Sequence, residues 1–201
     1  GDYGVSGLYK TTDAGKHWER APGPDGAWSG LVFDPKTPGT VYAYVYDVLR
    51  DVSTMLKSTD GGADWKEITF GLPAGWSWLR SLTIDPENTS ILYAVIGGSG
   101  SVFKTIDGGA SWSMPHSELV IWSLAPDPHV TGTLYAATGG CVLRSRDGGT
   151  SWTPVNSGLV ATSIFALAID PQFSNTLYAA TSYKGRSLAK SEDGGKGKQV
   201  F

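Results

Sequence analysis

The chain has 201 residues, of which 40% are hydrophobic, 11% aromatic and 17% charged, with a formal net charge of −3. That supplies a sizeable core, speaks against intrinsic disorder, and argues against a nucleic-acid or polyphosphate binder. A single cysteine, Cys141, rules out an internal disulfide framework and any multi-Cys zinc site, and three scattered histidines (His17, His116, His129) make no metal cluster. No cofactor, metal or membrane insertion is expected, since no apolar run approaches the roughly 18 residues of a membrane helix. The chain opens on Gly1 with no signal-peptide pattern, as a processed form or a fragment would.

Glycine is the outlier, at 27 of 201 residues, and such a balance suits many short strands joined by tight turns. Residues 1–20 read as two strands flanking Thr11-Thr12-Asp13-Ala14-Gly15-Lys16-His17-Trp18. The same box returns at Ser58 to Trp65 (Asp60, Gly62), Thr105 to Trp112 (Asp107, Gly109) and Ser145 to Trp152 (Asp147, Gly149). A fifth copy with Asp193 and Gly195 has lost its Trp. The aspartates step by 47, 47, 40 and 46 residues, close to the roughly 40–50 residues of a four-stranded blade.

A second signature runs in phase: Asp34-Pro35, Asp85-Pro86, Asp127-Pro128 and Asp170-Pro171, each followed by a run ending Tyr-Ala (Tyr42-Ala43, Tyr93-Ala94, Tyr135-Ala136, Tyr178-Ala179). Segments 28–68, 79–114, 121–155 and 164–201 therefore read as repeats. In each, strand one ends at Asp-Pro, strand two is the Tyr-Ala run, strand three leads into the box and strand four starts at the Trp. Almost no helix is expected. In strand one, the positions four before the Asp are Gly30, Ser81, Ser123 and Ala166, and those three before are Leu31, Leu82, Leu124 and Leu167. One small and one apolar face suit an innermost strand that converges on its neighbours.

The box aspartates read as structural. A residue repeated in every blade is spread around a ring, whereas a catalytic site needs one converging set, and a calcium loop needs several alternating oxygen ligands. The expected role is to cap backbone N–H groups, with glycines supplying positive φ and the Trp covering the blade edge.

The pattern Ser/Thr-x-Asp-x-Gly-x-x-Trp resembles the Asp-box, or BNR, repeat. It is found in sialidases, sortilin-type receptors, xyloglucanase-type glycoside hydrolases, photosystem II assembly propellers and many secreted repeat proteins. The resemblance covers nearly the whole chain and implies an all-β fold, a β-propeller of four-stranded antiparallel blades with about five repeats over 1–201, possibly partial. It says little of activity. Sialidase chemistry implies an arginine triad and an Arg-Ile-Pro motif, and the chain has no Arg-Ile-Pro. Xyloglucanase-type chemistry implies two separated carboxylates, one following a Tyr-Ala strand. Here Asp47 follows Tyr42-Ala43, with Asp51 a short loop on, but Val48-Leu49 replaces the family's Gly pair. Asp47 and Asp51 are weak catalytic candidates against a reading as solvated loop charges.

The loops joining strand two to three and strand four to the next strand one vary, and variable loops on a regular scaffold carry function. They gather Trp28, Tyr46, Arg50, Trp76, Trp78, Arg80, Glu118 and Trp122, with Phe165, His116, Tyr183, Lys184 and Arg186 nearby. Flat aromatics with scattered charges suit a glycan or protein ligand; the alternative is that the tryptophans staple loops or plug the mouth. The expected function is a non-catalytic binding or scaffolding module, extracytoplasmic by family analogy. The alternatives are part of a xyloglucanase-like hydrolase and an assembly factor docking on a membrane-protein complex. The tally is seventeen strands. A five-bladed ring would close if Gly7 to Arg20 completed the last blade, but Ser187 to Lys190 competes for that slot. A fragment of a larger propeller is expected, or blades supplied by the rest of a longer chain or by another subunit.

Overall fold

The computed structural model describes residues 7–47, 51–76, 78–97, 100–116, 119–159, 163–181 and 187–191. Every strand neighbour is antiparallel, and no helix occurs among the described residues. β1 (Tyr9–Lys10) and β2 (Glu19–Arg20) form a two-stranded hairpin. A four-stranded sheet follows, from β3 (Ala27–Phe33), β4 (Val41–Asp47), β5 (Val52–Ser58) and β6 (Lys66–Glu67). The next holds β7 (Leu79–Ile84), β8 (Leu92–Ile96), β9 (Ser101–Thr105) and β10 (Ser113–His116). The third holds β11 (Ile121–Pro126), β12 (Leu134–Thr138), β13 (Val142–Ser145) and β14 (Thr153–Pro154). The last has β15 (Ile164–Ile169), β16 (Leu177–Thr181) and β17 (Ser187–Ser191). Strand order within each sheet follows the chain, so each sheet is one blade with its first strand at one edge.

The core lies between blades. β8 is buried on both faces. Leu92, Ala94 and Ile96 meet Tyr42, Tyr44 and Met55 of the preceding blade, while Tyr93 and Val95 meet Ile121, Leu134 and Ala136 of the following one. A strand sandwiched this way reads as a continuous apolar run, with no polar alternation, which is why the Tyr-Ala runs stand out in the sequence. Packing between first strands links β3 to β7, β7 to β11 and β11 to β15, so strand one is innermost, as its small positions predict. At Gly30 a Cβ would lie 2.6 Å from the Leu79 Cδ2 of the next blade, and the backbone there has φ +62°, so a larger residue would be strained and would displace the Leu79 side chain. The substantial packing among described strands does not join β15–β17 to β1–β3, and β17 fills the third position of the last sheet.

Box turns and Asp-Pro loops share one end of the blades: the Gly61, Gly108 and Gly148 amides donate to the Gly39, Ser90 and Gly132 carbonyls at 2.8–2.9 Å. Blades are also stitched to each other at this end. Lys10 and Lys57 donate to the first box glycine of the next blade, Gly61 and Gly108, at 3.0 and 3.1 Å. Ser174 donates to Asp127 at 2.7 Å, and the Gly132 amide to Asp85 at 3.1 Å.

Two expectations need correction. The fourth strands begin one residue after the Trp, and β2, β6 and β14 have just two residues. The box tryptophans are not uniformly buried: Trp112 is 5% exposed, Trp65 and Trp152 are half-buried, and Trp18 is 60% exposed. The cause is what covers them. Trp65 donates to the Pro22 carbonyl at 3.1 Å and Trp112 to the Ile68 carbonyl at 2.7 Å. Both acceptors lie in the segment that follows the preceding blade's fourth strand. Trp18 sits in the first described sheet, with no such segment before it among the described residues.

Candidate functional site

The boxes are closed hydrogen-bond units. In each described box the Ser or Thr hydroxyl donates to the Asp Oδ1 (2.8 Å for Asp13, 2.7 Å for Asp60, 2.6 Å for Asp107, 2.8 Å for Asp147). The same hydroxyl accepts the N–H of Gly15, Gly62, Gly109 or Gly149 at 2.9–3.0 Å. The Asp carboxylates also take backbone N–H groups of His17, Asp64, Ser111 and Ser151. The Ser111 and Thr105 hydroxyls and the Ser111 backbone N–H hold the Asp107 pKa down at about 2. The Ser151 hydroxyl and amide hold Asp147 at about 2 likewise. These carboxylates are committed to turn geometry, and no group of three or more metal-ligating side chains forms among the described residues. Asp193 and Gly195 lie outside the described residues, as do Arg50, Glu118, Tyr183, Lys184 and Arg186.

At the opposite end the structure separates the remaining sequence candidates. Trp28 does not join the others: it packs edge-on to the box tryptophan Trp65, ring centroids 5.1 Å apart, and donates to the Pro24 carbonyl at 3.1 Å. Trp76 is buried and tilts against Tyr44 at 5.3 Å. It forms the wall between a groove of about 620 Å³, which also takes in Leu72, Ile96, Phe103 and Met114, and a smaller one of about 210 Å³ reaching Asp51. Tyr46 donates its hydroxyl to Asp51 at 2.7 Å, and that carboxylate pushes the Tyr46 phenol up. Asp47 ends β4, opposite Val52. Asp51 is exposed, in a left-handed conformation with φ +53°.

Arg80, Trp122 and Phe165 come together across three blades. Each sits at an interruption of its strand's pairing. Leu79 pairs with Ile96 and Ser81 with Val95, leaving Arg80 unmatched; Ile121 and Ser123 bracket Trp122, and Ile164 and Ala166 bracket Phe165, in the same way. Such a β-bulge breaks the two-residue alternation and re-aims the extra side chain. The Arg80 guanidinium carbon lies 4.0 Å from the Trp122 ring centroid, and its Nε donates to the Gly97 carbonyl at 3.2 Å. Trp122 meets Phe165 edge-on at 6.3 Å and 68°. Trp122 is 37%, Phe165 52% and nearby Trp78 63% exposed, so this apolar surface is presented rather than buried.

Strict alternation hides this row. Counting in twos from the Asp puts the position five before it on the same face as the leucine three before it, which is the core side. The available signal is Arg80 alone, a charge in phase with the leucines, since Trp122 and Phe165 would suit a buried face.

No family model matches the sequence. A xyloglucanase of Hypocrea jecorina is 27% identical over 159 residues, 67% of this chain but 18% of that protein. The Niastella koreensis GH74 enzyme superposes with a TM-score of 0.74 at 20% identity, covering 97% of this chain and 34% of the enzyme. YCF48 bound to D1 peptide superposes at 0.64 and 20% identity, covering 98% of this chain and 61% of that one. The fold is an Asp-box β-propeller fold, shared with GH74 enzymes and YCF48. The chain is a distant relative of xyloglucanases and spans less than a fifth of the length of the Hypocrea protein it matches.

Proposed function

We propose that the chain is a non-catalytic binding and scaffolding module that takes its ligand at the variable-loop end, a protein segment ahead of a glycan. The observation that carries this is the exposed Arg80–Trp122–Phe165 cluster drawn from three blades. A pyranose ring stacks on an open aromatic face, but here one face of Trp122 carries the Arg80 guanidinium and its edge meets Phe165 at 68°. An edge contact and a stacked cation suit apolar side chains and backbone better than a sugar plane. A neighbour of the same fold is known with a peptide bound. By analogy with secreted Asp-box proteins we place the module outside the cytoplasm. Further blades, from a longer chain or another subunit, would cover Trp18.

The similarity to xyloglucanases supports a second reading, a portion of a glycoside hydrolase with Asp47 as one carboxylate. Incubation with xyloglucan and assay of new reducing ends separates the two. The binding module releases none; release that disappears in Asp47→Ala establishes the hydrolase instead.

A further inference from the structure

We infer that the bulge shared by the innermost strands β7, β11 and β15 is the recognition element of this propeller. Specificity is then set by one residue per blade, at Arg80, Trp122 and Phe165, and the ligand is an extended peptide read across the blades. The inference rests on the binding-module reading above and adds the partner's conformation and the residues that select it.

Four observations converge. First, β7, β11 and β15 have the pairing interruption at the same place, five residues before the Asp, and β3 has one slightly further along, between Ser29 and Val32. A feature repeated in each blade is part of the architecture, while the side chain it presents is free to differ: arginine, tryptophan, phenylalanine. Second, the presented side chains touch although their positions are 42 and 43 residues apart in sequence, so they form one continuous row perpendicular to the strands. Third, the next residue on each strand is small (Ser81, Ser123, Ala166), which leaves the row unobstructed on that side. Ser81 also accepts the Leu124 amide at 3.4 Å, tying adjacent inner strands together beneath the row.

Fourth, the spacing fits. In an extended chain, alternate side chains point the same way about 6.6 Å apart, and the Trp122 and Phe165 rings stand 6.3 Å apart. A peptide lying along the row would set residues i and i+2 against Trp122 and Phe165, with the Arg80 guanidinium stacked on Trp122 at 4.0 Å. Apolar side chains at i and i+2 would contact Trp122 and Phe165, whereas a helix would have to present i and i+4, about 6 Å apart, so the sequence spacing of the apolar residues tells the two conformations apart.

The test selects random dodecapeptides displayed on phage against the full-length chain and then measures synthetic versions by calorimetry. Enriched peptides should carry apolar residues at i and i+2. Their affinity should fall at least tenfold with Trp122→Ala and with Phe165→Ala, and at least tenfold when the two apolar residues are moved to i and i+1. Phe173→Ala is the control, since Phe173 is 63% exposed but lies in the Asp170-Pro171 loop at the opposite end, and it should leave affinity unchanged. Circular dichroism melting of each variant keeps loss of fold apart from loss of binding; if Trp122→Ala unfolds, Trp122→Leu replaces it with the same expectation. Peptides that bind while ignoring the row variants, or that show a three-to-four spacing, overturn the inference and leave the binding-module reading standing. If no peptide is enriched, both fall.

Discussion

Trp112 and Trp18 hold the same place in the box, yet one is 5% and the other 60% exposed. The difference lies in Ile68 from the preceding blade, whose carbonyl accepts the Trp112 indole N–H at 2.7 Å and whose side chain packs beside Gly109. Trp112→Ala should therefore cost about 3–5 kcal/mol, while Trp18→Ala should change stability by no more than about 0.5 kcal/mol; urea titration of each variant checks both. The box carboxylates give a pH signature. Asp107 and Asp147 are held at about 2, below the ordinary carboxylate value of 3.8. A folded pKa below the unfolded one means the stabilisation is fully present above pH 4 and is lost as pH falls through 2. Melting temperature should thus decline between pH 4 and 2, and Ser111→Ala with Ser151→Ala, which remove the largest causes, should flatten that decline. The box motif itself was legible because its Ser/Thr, Asp and Gly bond within a few residues of each other. Whether its Trp is buried was not, because that depends on a segment more than forty residues away.

At the level of strands, the alternation of types placed β7 and β15 at the residues where they occur, Leu79–Ile84 and Ile164–Ile169. Where the alternation is broken the sequence misleads: Leu31, on the expected apolar face, is 46% exposed, because the β3 interruption falls beside it. The bulges that create the Arg80–Trp122–Phe165 row escaped for the same reason, since local propensity carries no mark of an extra residue in the strand register. Comparing connectors gives a further prediction. Three residues after the box Trp stand Ala21, Ile68 and Pro115. Ile68 and Pro115 pack against the next blade's box at Gly109 and Gly149. The short Ala21 leaves a cleft of about 420 Å³ against Gly61 and Gly62, lined also by Lys10, His17 and Arg20. Ala21→Ile should partly fill it and raise stability by about 0.5–2 kcal/mol, read as an increase in melting temperature; a decrease would mean that the cleft cannot accept the side chain without strain.

Across the whole molecule, two different ends emerge from one repeat. At the box end the described blades repeat the same bonds, Lys10 and Lys57 to box-glycine carbonyls and the Asp85 and Asp127 carboxylates to the next blade's loop, and sameness there serves cohesion. At the other end the bulge positions differ from blade to blade, and the exposed aromatic surface lies where they meet. This division of labour explains why repeat-level similarity reaches hydrolases and a peptide-bound propeller alike, since cohesion is what the shared motif encodes. The most direct test of the account is amide hydrogen exchange on the full-length chain with and without a saturating peptide obtained by selection. Binding at the bulge row predicts new protection in residues 79–81, 121–123 and 164–166, with the box turns at Asp60, Asp107 and Asp147 unchanged. Protection confined to the box turns, with the three inner-strand segments unaffected, would contradict it.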